Sequence, residues 1–325
     1  MIAVFGSLLS VPRETAKPGA HEPVMLTEVL EYLDPQPGDT VVDGTIGLAG
    51  HATALAERVG SKGTLVGFDW DAAMLERARE RMVGAPLNAL HLVRDDYRSI
   101  PARLAELGLA ADGILLDLGL NSAQIDDPGR GLSFLQDGPL DMRMNRDDRE
   151  PAAALLNRLT AAQIEDALRE YGDERWARAI AKQIVERRRS APLRTTNDLV
   201  ECVLAAIPPR AREKRIHPAT RTFQAIRILT NRELEDLEGA ITAIAETLTP
   251  GGRLVVLAYH SGEDREVKHA FKALSEHGFQ VLTPKPVGPT PEEIFTNPRS
   301  RSAKLRAIRR ETTTPEGRSS WRQSQ

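Results

Sequence analysis

The chain of 325 residues is 41% hydrophobic and 27% charged, a globular composition with enough length for one large domain or two smaller ones. Its formal net charge of −3 at pH 7 excludes the overall basic excess that is typical of many nucleic-acid binders. The single cysteine, Cys202, excludes an intrachain disulfide and a cysteine-based zinc site, and it favours a cytoplasmic location. No apolar run is long enough to span a bilayer.

Basic residues are concentrated late in the chain, in the stretches Arg175–Arg189, Arg210–Arg232 and Arg299–Arg310. Local patches of this kind can hold a polyanion even when the whole chain is slightly acidic. A basic run is also common on a solvated helix face, and for Arg187–Arg189 the sequence leaves both interpretations open.

The two ends of the chain are expected to lie outside the fold. Residues 1–20 lack the basic start and the clear cleavage site of a signal peptide, so we expect a flexible N-terminal extension. Residues 311–325 are polar and predict a disordered tail.

Residues 21–131 alternate between helical and strand patterns. Apolar residues at helical spacing predict a first helix at Val24–Leu33. The next predicted elements are the strand Thr40–Asp43, the helix His51–Val59, the strand Thr64–Phe68, the helix Ala72–Met82, the strand Leu90–Val93, the helix Pro101–Leu107 and the strand Gly113–Leu116. This alternation is typical of βαβ units that form a parallel sheet.

A helical insertion interrupts this pattern after the fourth strand, because the next strand lies much further along than the roughly 30 residues of a βαβ unit. Residues 132–218 predict the helices Pro151–Leu159, Ala161–Tyr171, Arg175–Arg188 and Asn197–Ala206. The core resumes over residues 219–310 with the helix Asn231–Leu248, the strand Arg253–Ala258, the helix Glu263–Ser275 and the strands Gln280–Thr283 and Lys304–Arg309. The predicted fold is α/β, a Rossmann-like sheet of seven strands with an inserted all-helical subdomain.

A glycine-rich loop, DGTIGLAG from Asp43 to Gly50 with Gly47 at its centre, follows the first strand and opens a helix. Glycines let the backbone approach a ligand closely, and ligands of doubly wound sheets bind at the carboxyl ends of the strands. The spacing G-x-x-G-x-x-G differs from the G-x-G-x-x-G of dinucleotide sites. The preceding acid suits a cationic sulfonium better than a pyrophosphate, so Asp43 favours S-adenosylmethionine (AdoMet) over NAD.

Three further polar residues follow or end the neighbouring strands. Asp69 ends the second strand, where a carboxylate can accept both hydroxyls of a ribose, and Asp71 already fits the capping role on the next helix. Tyr97, after the third strand, would either cover an adenine ring or pack in the core. Asp117 ends the fourth strand and would face the same crevice. Together these residues predict a cofactor site at one edge of the sheet.

Seven short motifs lie in order along residues 21–310: HEPVML from His21, DGTIG from Asp43, DGILLDLG from Asp112, GPLDMRM from Gly138, HPATRTFQ from His217, YHSGEDR from Tyr259 and NPRSRS from Asn297. In these motifs the chain resembles the bacterial 16S rRNA cytosine-N4 methyltransferase family of the MraW type. The resemblance covers nearly the whole chain.

The resemblance implies a cofactor, a substrate and a set of contacts. The cofactor would be AdoMet, held by Ala49, Gly50, His51, Asp69, Tyr97, Asp117 and Gln124. The helical insert would help to recognise RNA, and the product would be an N4-methylated cytosine in the decoding region of 16S rRNA. The expected partner is that rRNA within a small ribosomal subunit or its precursor.

The chain departs from the family pattern in three motifs near the expected site. Ala49 stands where the family has glycine, Asn121-Ser122-Ala123-Gln124 replaces Ser-Ser-Pro-Gln, and Tyr259 begins a motif in which the family has phenylalanine. Each motif keeps its central residue: Gly50 and His51, Gln124, and His260.

Methyl transfer to cytosine N4 needs acceptors for the amine hydrogens, because the nitrogen lone pair is delocalised into the ring. We expect Asp117 and the backbone carbonyls of Leu118 and Gly119 to form this set, with the carboxylate stabilising the developing charge. Tyr259 or Phe134 would stack on the base. His260 is expected to contact the substrate, and the alternative is a histidine bonded within the core.

No metal site is expected, since no H-E-x-x-H spacing occurs and acid pairs at helix starts usually complement the helix dipole. Three other functions remain open. They are an AdoMet enzyme acting on DNA amines, a non-enzymatic RNA-binding factor with this fold, and a nicotinamide dehydrogenase, which the glycine spacing disfavours. The sequence leaves the oligomeric state undecided.

Overall fold

The computed structural model describes residues 23–120, 122–147, 150–213 and 216–312. The expected N-terminal extension, the motif residue His21, Asn121 and the part of the tail from residue 313 lie outside the described residues. None of the described helices is long and apolar enough to cross a membrane.

A single seven-stranded sheet forms the centre of the fold, as predicted. Its strands are β1 (Thr40–Asp43), β2 (Thr64–Asp69), β3 (Ala89–Arg94), β4 (Ala111–Asp117), β5 (Leu248–Ala258), β6 (Phe279–Val281) and β7 (Lys304–Arg310), in the order β3-β2-β1-β4-β5-β7-β6. Strands β1 to β5 are parallel, and β7 pairs antiparallel with β5 and β6. The strand order reverses between β1 and β4, which is where open α/β sheets bind their ligands.

Helices cover the sheet and form a separate layer at its carboxyl edge. They are α1 (Leu26–Leu33), α2 (Gly50–Val59), α3 (Ala72–Arg81), α4 (Ile100–Leu107), α5 (Ser122–Ile125), α6 (Ala152–Arg158), α7 (Ala161–Gly172), α8 (Ala177–Ser190), α9 (Thr196–Ala206), α10 (Thr220–Asn231), α11 (Leu237–Glu246), α12 (Ser261–Leu274) and α13 (Pro291–Thr296).

Two apolar clusters hold the helices on the two faces of the sheet. Successive strand residues point to opposite faces, so Val41 packs with α1, α2 and α3, whereas Val42 packs with α4, α11 and α12. Both valines are fully buried. Burial on both faces explains why the parallel strands read as continuous apolar runs.

The helical part has its own apolar cluster, which extends further along the chain than residue 218. It begins at Leu132 and includes Phe223 and Ile226 of α10, a helix that the sequence pattern did not predict. The predicted helix Asn231–Leu248 is wrong at its start. The chain leaves α10 through Arg232 and enters α11 after Asp236, and both residues have positive φ angles of 51° that interrupt a continuous helix.

Candidate functional site

A cavity of about 350 Å³ opens at the carboxyl ends of β1, β2 and β4. Most of the residues expected to bind the cofactor line it: Gly47, Gly50, His51, Asp69, Tyr97, Asp117 and Gln124. Asp43 and Ala49 lie directly behind this lining, buried at 2% and 0% exposure. His260 instead lines a groove on the other side of Tyr259. The structure thus brings most of the predicted site residues together.

The glycine-rich loop is fixed to the neighbouring strand by its backbone. The Ile46 N–H donates to the Phe68 carbonyl at 2.9 Å, and the Gly47 N–H donates to Asp69 Oδ2 at 3.1 Å. Gly47 and Ala49 both have left-handed backbones, with φ of 48° and 58°. This conformation suits glycine and strains alanine, so Ala49 departs from the family pattern at a position where glycine has a physical advantage.

Asp69 is oriented by two backbone donors at the end of β2. Its Oδ2 accepts from the Gly47 N–H and its Oδ1 accepts from the Asp71 N–H at 2.8 Å. Asp71 itself caps α3 by accepting from the Ala73 N–H at 2.9 Å, as expected. Burial raises the pKa of Asp69 to about 6. The carboxylate is therefore held in place and keeps lone pairs directed at the cavity.

Asp43 is buried beneath the loop and influences the site through its charge. Its Oδ1 accepts from the Thr45 N–H at 3.1 Å. Burial raises its pKa to about 6, an effect that His51 opposes and Asp117 reinforces. Asp43, beneath the loop, therefore interacts electrostatically with His51 and Asp117, which line the cavity.

His51 links the start of the fold to Asp117. Its Nε2 lies 2.9 Å from the Val24 carbonyl oxygen, and because a carbonyl can only accept, this nitrogen carries the hydrogen. Its Nδ1 lies 3.9 Å from Asp117 Oδ2. The ring is buried at 7% exposure, between the segment around Val24 and the end of β4.

Asp117 lies beside an aromatic side chain at the end of β4. Its Oδ1 accepts from the Gly119 N–H at 3.2 Å, and its own N–H donates to Thr45 Oγ1 at 2.7 Å. The Tyr259 ring packs so closely on Gly119 that a Cβ there would lie 2.5 Å from Cε2 of the ring. Burial, the Asp117 charge and a hydrogen bond with Asp117 raise the pKa of Tyr259 well above its usual range.

The structure distinguishes between the two aromatic residues considered for stacking. Tyr259 lines the cavity, whereas the Phe134 ring stacks on His217 at 4.7 Å and packs edge-on against Phe223 at 4.9 Å. Phe134 therefore belongs to the helical cluster, and Tyr259 is the aromatic residue next to Asp117.

Tyr97 forms part of the cavity wall below the glycine-rich loop. It is 8% exposed, and the Arg98 guanidinium lies 4.8 Å from its ring centre. A Cβ on Gly44 would come within 3.2 Å of Tyr97 Cβ, so glycine at that position allows the close packing. Gln124 of α5, which is also buried, lines the cavity as well.

His260 begins α12 and closes a capping box. Its Nδ1 accepts from the Glu263 N–H at 3.3 Å, and Glu263 Oε2 accepts from the backbone N–H groups of His260 at 3.3 Å and Tyr259 at 2.7 Å. The ring is 7% exposed. This arrangement fixes the turn that carries Tyr259.

Glu233, His260 and Glu263 present ligand-type atoms within 4.8 Å of one another. The surrounding bonds argue against a cation here. Arg227 donates to both oxygens of Glu233, and His260 Nδ1 accepts a hydrogen bond, so the hydrogen of the neutral ring lies on Nε2. The three residues form an ion-pair and capping network.

Three polar residues that the sequence pattern did not indicate also line the cavity. Arg227, Asn231 and Glu233 come from α10 and the turn behind it. Asn231 joins α10 to the GPLDMRM motif, because its Oδ1 accepts from the Met144 N–H at 2.8 Å and its Nδ2 donates to the Met142 carbonyl at 2.8 Å. The i, i+4 spacing of Arg227 and Asn231 would have indicated one face of a helix.

The basic stretches are divided between structural and exposed roles. Arg187 pairs with Asp198 at 2.9 Å, and Arg188 donates to the Leu156 carbonyl, so this run holds the helical part together. Arg299 lines the mouth of the cavity and forms an exposed pair with Asp126 at 2.7 Å.

A family model and two relatives of nearly the same length indicate one family. The family model described as the MraW methylase family matches residues 19–311. The ribosomal RNA small subunit methyltransferase H of Pelobacter propionicus is 46% identical over 306 residues, which are 89% of this chain and 97% of that protein. The protein of the same name from Geobacter sulfurreducens is 45% identical over 312 residues, covering 89% and 98%. The crystal structure of an rRNA methylase from Streptococcus thermophilus is a remote match, with a TM-score of 0.39, 12% identity and coverage of 88% and 93%.

Proposed function

Because the chain belongs to the MraW methylase family, its cofactor is S-adenosylmethionine, and we propose that it methylates the N4 amine of a cytosine in the decoding region of 16S rRNA. The observation that carries this proposal is the arrangement at the end of β4, where the half-buried Asp117 carboxylate and the adjacent Tyr259 ring both line the cofactor cavity. Relatives named as small-subunit rRNA methyltransferases support the acceptor class.

The residues that would hold the cofactor lie at the ends of β2, β1 and β4. Asp69 would accept the ribose hydroxyls, Tyr97 would support the adenine, and the glycine-rich loop would contact the methionine moiety. The residues around this moiety are Gly47, Ala49, Gly50 and His51, with Asp117 and Gln124 closing the other side. The Asp43 carboxylate would stabilise the positive charges of the sulfonium and ammonium groups from beneath the loop, because it is buried and, among the described residues, only its Oδ1 accepts a hydrogen bond.

The methyl group of a sulfonium is already activated, so the protein contributes mainly orientation. The amine hydrogens of cytosine N4 are accepted by Asp117 and by the carbonyls of Leu118 and Gly119. This turns the nitrogen lone pair towards the methyl group, and the carboxylate stabilises the positive charge that develops on N4. The Tyr259 ring forms the adjacent wall, against which the base stacks.

His260 is proposed to act as a positioning residue rather than by proton transfer. Its capping box with Glu263 fixes the turn after β5, and that turn carries Tyr259 next to Asp117. The proton of the methylated amine can leave to solvent after the transfer, so a general base is less needed.

The helical part, α6 to α10, is proposed to recognise the RNA around the target base, with Arg299 contacting phosphate at the mouth of the cavity. The base must leave its stack to reach Asp117. The partner is a small ribosomal subunit or its precursor, in the cytoplasm. Phosphate contacts would make the affinity fall steeply with salt.

The test uses AdoMet with a labelled methyl group and three acceptors: small ribosomal subunits that lack the modification, large subunits, and duplex DNA. Label in small-subunit rRNA alone is the expected result. Label in DNA would favour an enzyme acting on DNA amines, and RNA binding without AdoMet binding would favour a non-enzymatic factor. In parallel, Asp117→Asn should lower turnover at saturating AdoMet. Loss of AdoMet affinity with normal turnover would limit Asp117 to cofactor binding.

A further inference from the structure

We propose that Arg227 recognises the target cytosine, with the outer edge of its guanidinium donating hydrogen bonds to N3 and O2 of the base. The inference rests on the proposed function, because it assigns the remaining acceptors of the base whose N4 amine is held at Asp117. It makes Arg227 the residue that distinguishes cytosine from uracil.

Arg227 lines the same cavity as Asp69, Asp117 and Tyr259. In the sheet order β2-β1-β4-β5, two strands separate the strand that ends at Asp69 from the strand that Tyr259 follows. Burial alone would lower the pKa of Arg227, but the negative charges of Glu233 and Glu263 outweigh it and raise that pKa. Glu233, which pairs with Arg227, presents an oxygen within 4.8 Å of ligand-type atoms of His260 and Glu263. Because Glu263 accepts from the Tyr259 N–H, Arg227 lies on the Tyr259 side of the cavity, where the acceptor base is expected.

The hydrogen bonds of Arg227 leave one edge of its guanidinium available. Nε donates to Glu233 Oε1 at 2.9 Å and Nη2 donates to Glu233 Oε2 at 2.7 Å, which is a bidentate fork. A guanidinium has five N–H groups, so three remain. Within the described part of the chain, Nη1 donates no hydrogen bond, and Arg227 lines the cavity with a side chain that is 17% exposed. The edge formed by Nη1 and Nη2 can therefore donate a second parallel pair.

Hydrogen bonds to neighbouring residues restrain the Arg227–Glu233 pair. The side chain of Glu233 is 10% exposed, and its backbone carbonyl accepts from Arg98 Nη2 at 3.2 Å. Asn231 Nδ2 donates to the Met142 carbonyl at 2.8 Å and Asn231 Oδ1 accepts from the Met144 N–H at 2.8 Å, so α10 cannot shift against that segment without breaking both contacts. A guanidinium fixed in this way loses little freedom when it binds a ligand, which favours a role in recognition.

Cytosine fits this donor edge and uracil does not. N3 and O2 of cytosine are adjacent acceptors on the Watson–Crick edge, beside the N4 amine that would face Asp117, and a guanidinium matches two parallel acceptors. Uracil carries a hydrogen on N3, so a donor would face the N–H donors of Arg227 and no hydrogen bond could form there. A site built to satisfy a polar group rejects the analogue that leaves it unpaired much more strongly than an apolar pocket does.

The experiment compares cytidine with 3-deazacytidine, which lacks the N3 acceptor, at the target position of reconstituted small subunits. The enzymes are wild type, Arg227→Met, the double variant Arg227→Met with Glu233→Gln, which leaves no unpaired buried charge, and Arg232→Met. Arg232 lies at the end of the same helix in an exposed pair with Glu235 and serves as the matched control. Thermal unfolding and AdoMet affinity are measured for each enzyme.

Wild type and Arg232→Met should methylate the 3-deaza substrate with kcat/KM reduced at least tenfold. Both Arg227 variants should be slowed at least tenfold on cytidine, should lose no further activity on the 3-deaza substrate, and should bind AdoMet within about twofold of wild type. The ratio of kcat/KM on cytidine to kcat/KM on 3-deazacytidine is compared between enzymes, because this comparison cancels the different intrinsic reactivity of the analogue.

Undiminished sensitivity of the Arg227 variants to the 3-deaza substitution would overturn the assignment, as would loss of AdoMet binding in a folded variant. Equal methylation of both substrates by wild type would also overturn it. If wild type forms no N4-methylcytidine on the unmodified subunits, the proposed function itself fails. That outcome is separate from the others because it does not depend on any variant.

Discussion

Replacing Asp43 by asparagine should make the unliganded protein more stable at neutral pH while weakening its affinity for AdoMet. The side chain is 2% exposed, and burial raises its pKa from 3.8 to about 6. A difference of about two pKa units corresponds to about 3 kcal/mol of unfavourable free energy for holding the ionised carboxylate in the folded chain. Asparagine keeps the acceptor for the Thr45 N–H and removes the charge.

The direction of the pH dependence follows from proton binding. Between about pH 4 and pH 6, folded Asp43 keeps its proton while an unfolded aspartate has lost it, so the folded state binds more protons. The stability of the wild type therefore falls as the pH rises through this window and stays lower above pH 6. Asp43→Asn removes that loss, so the two proteins should differ by up to about 3 kcal/mol at pH 7.5 and little at pH 4.

Urea unfolding at several pH values tests this, with Asp166→Asn as the control because that residue is exposed on α7. The control should follow the wild type throughout. Calorimetry at pH 7.5 should show AdoMet binding weakened about tenfold by Asp43→Asn, since a favourable charge interaction of about 1.4 kcal/mol is lost. A variant less stable than wild type at pH 7.5, or a difference independent of pH, would refute the electrostatic account.

Three other perturbations test single contacts. Ala49→Gly should raise the free energy of unfolding by about 1 kcal/mol, because it relieves a left-handed alanine; unchanged urea unfolding would contradict this. Gly119→Ala should keep AdoMet binding but lower kcat at least tenfold, since its methyl group would meet Tyr259 at 2.5 Å; normal turnover would mean that the ring adapts freely. Asp69→Ala should weaken AdoMet binding roughly 10- to 100-fold, the range for losing hydrogen bonds to a charged group; unchanged affinity in calorimetry would exclude a ribose contact.

Much of this fold could be predicted because its strands are short apolar runs followed by polar residues. The family resemblance and the seven strands are confirmed, and Asp69 and Asp117 both line the expected cavity. These residues were found because the carboxyl ends of parallel strands meet at one edge. An acidic residue that directly follows a predicted strand in the sequence can therefore be placed at that edge without knowledge of the tertiary structure.

The cavity residues of α10 and of the turn after it could not be predicted in the same way. Arg227 and Glu233 lie on a helix and a turn whose relation to the sheet depends on how the helical part packs. The pattern from Asn231 to Leu248 reads as one helix, and only the positive φ angles at Arg232 and Asp236 divide it. Contacts between side chains distant in sequence, such as Asn231 with Met142, have no local pattern that predicts them.

The chemical identity of the methylated nucleoside is the most direct test of the central claim. Small subunits lacking cytosine-N4 methylation would be incubated with AdoMet carrying a tritiated methyl group and either wild type or Asp117→Ala, and the rRNA digested to nucleosides. The account predicts that the label appears in N4-methylcytidine with wild type and is lost with the variant. Label in any other nucleoside, or none despite normal AdoMet binding, would contradict it.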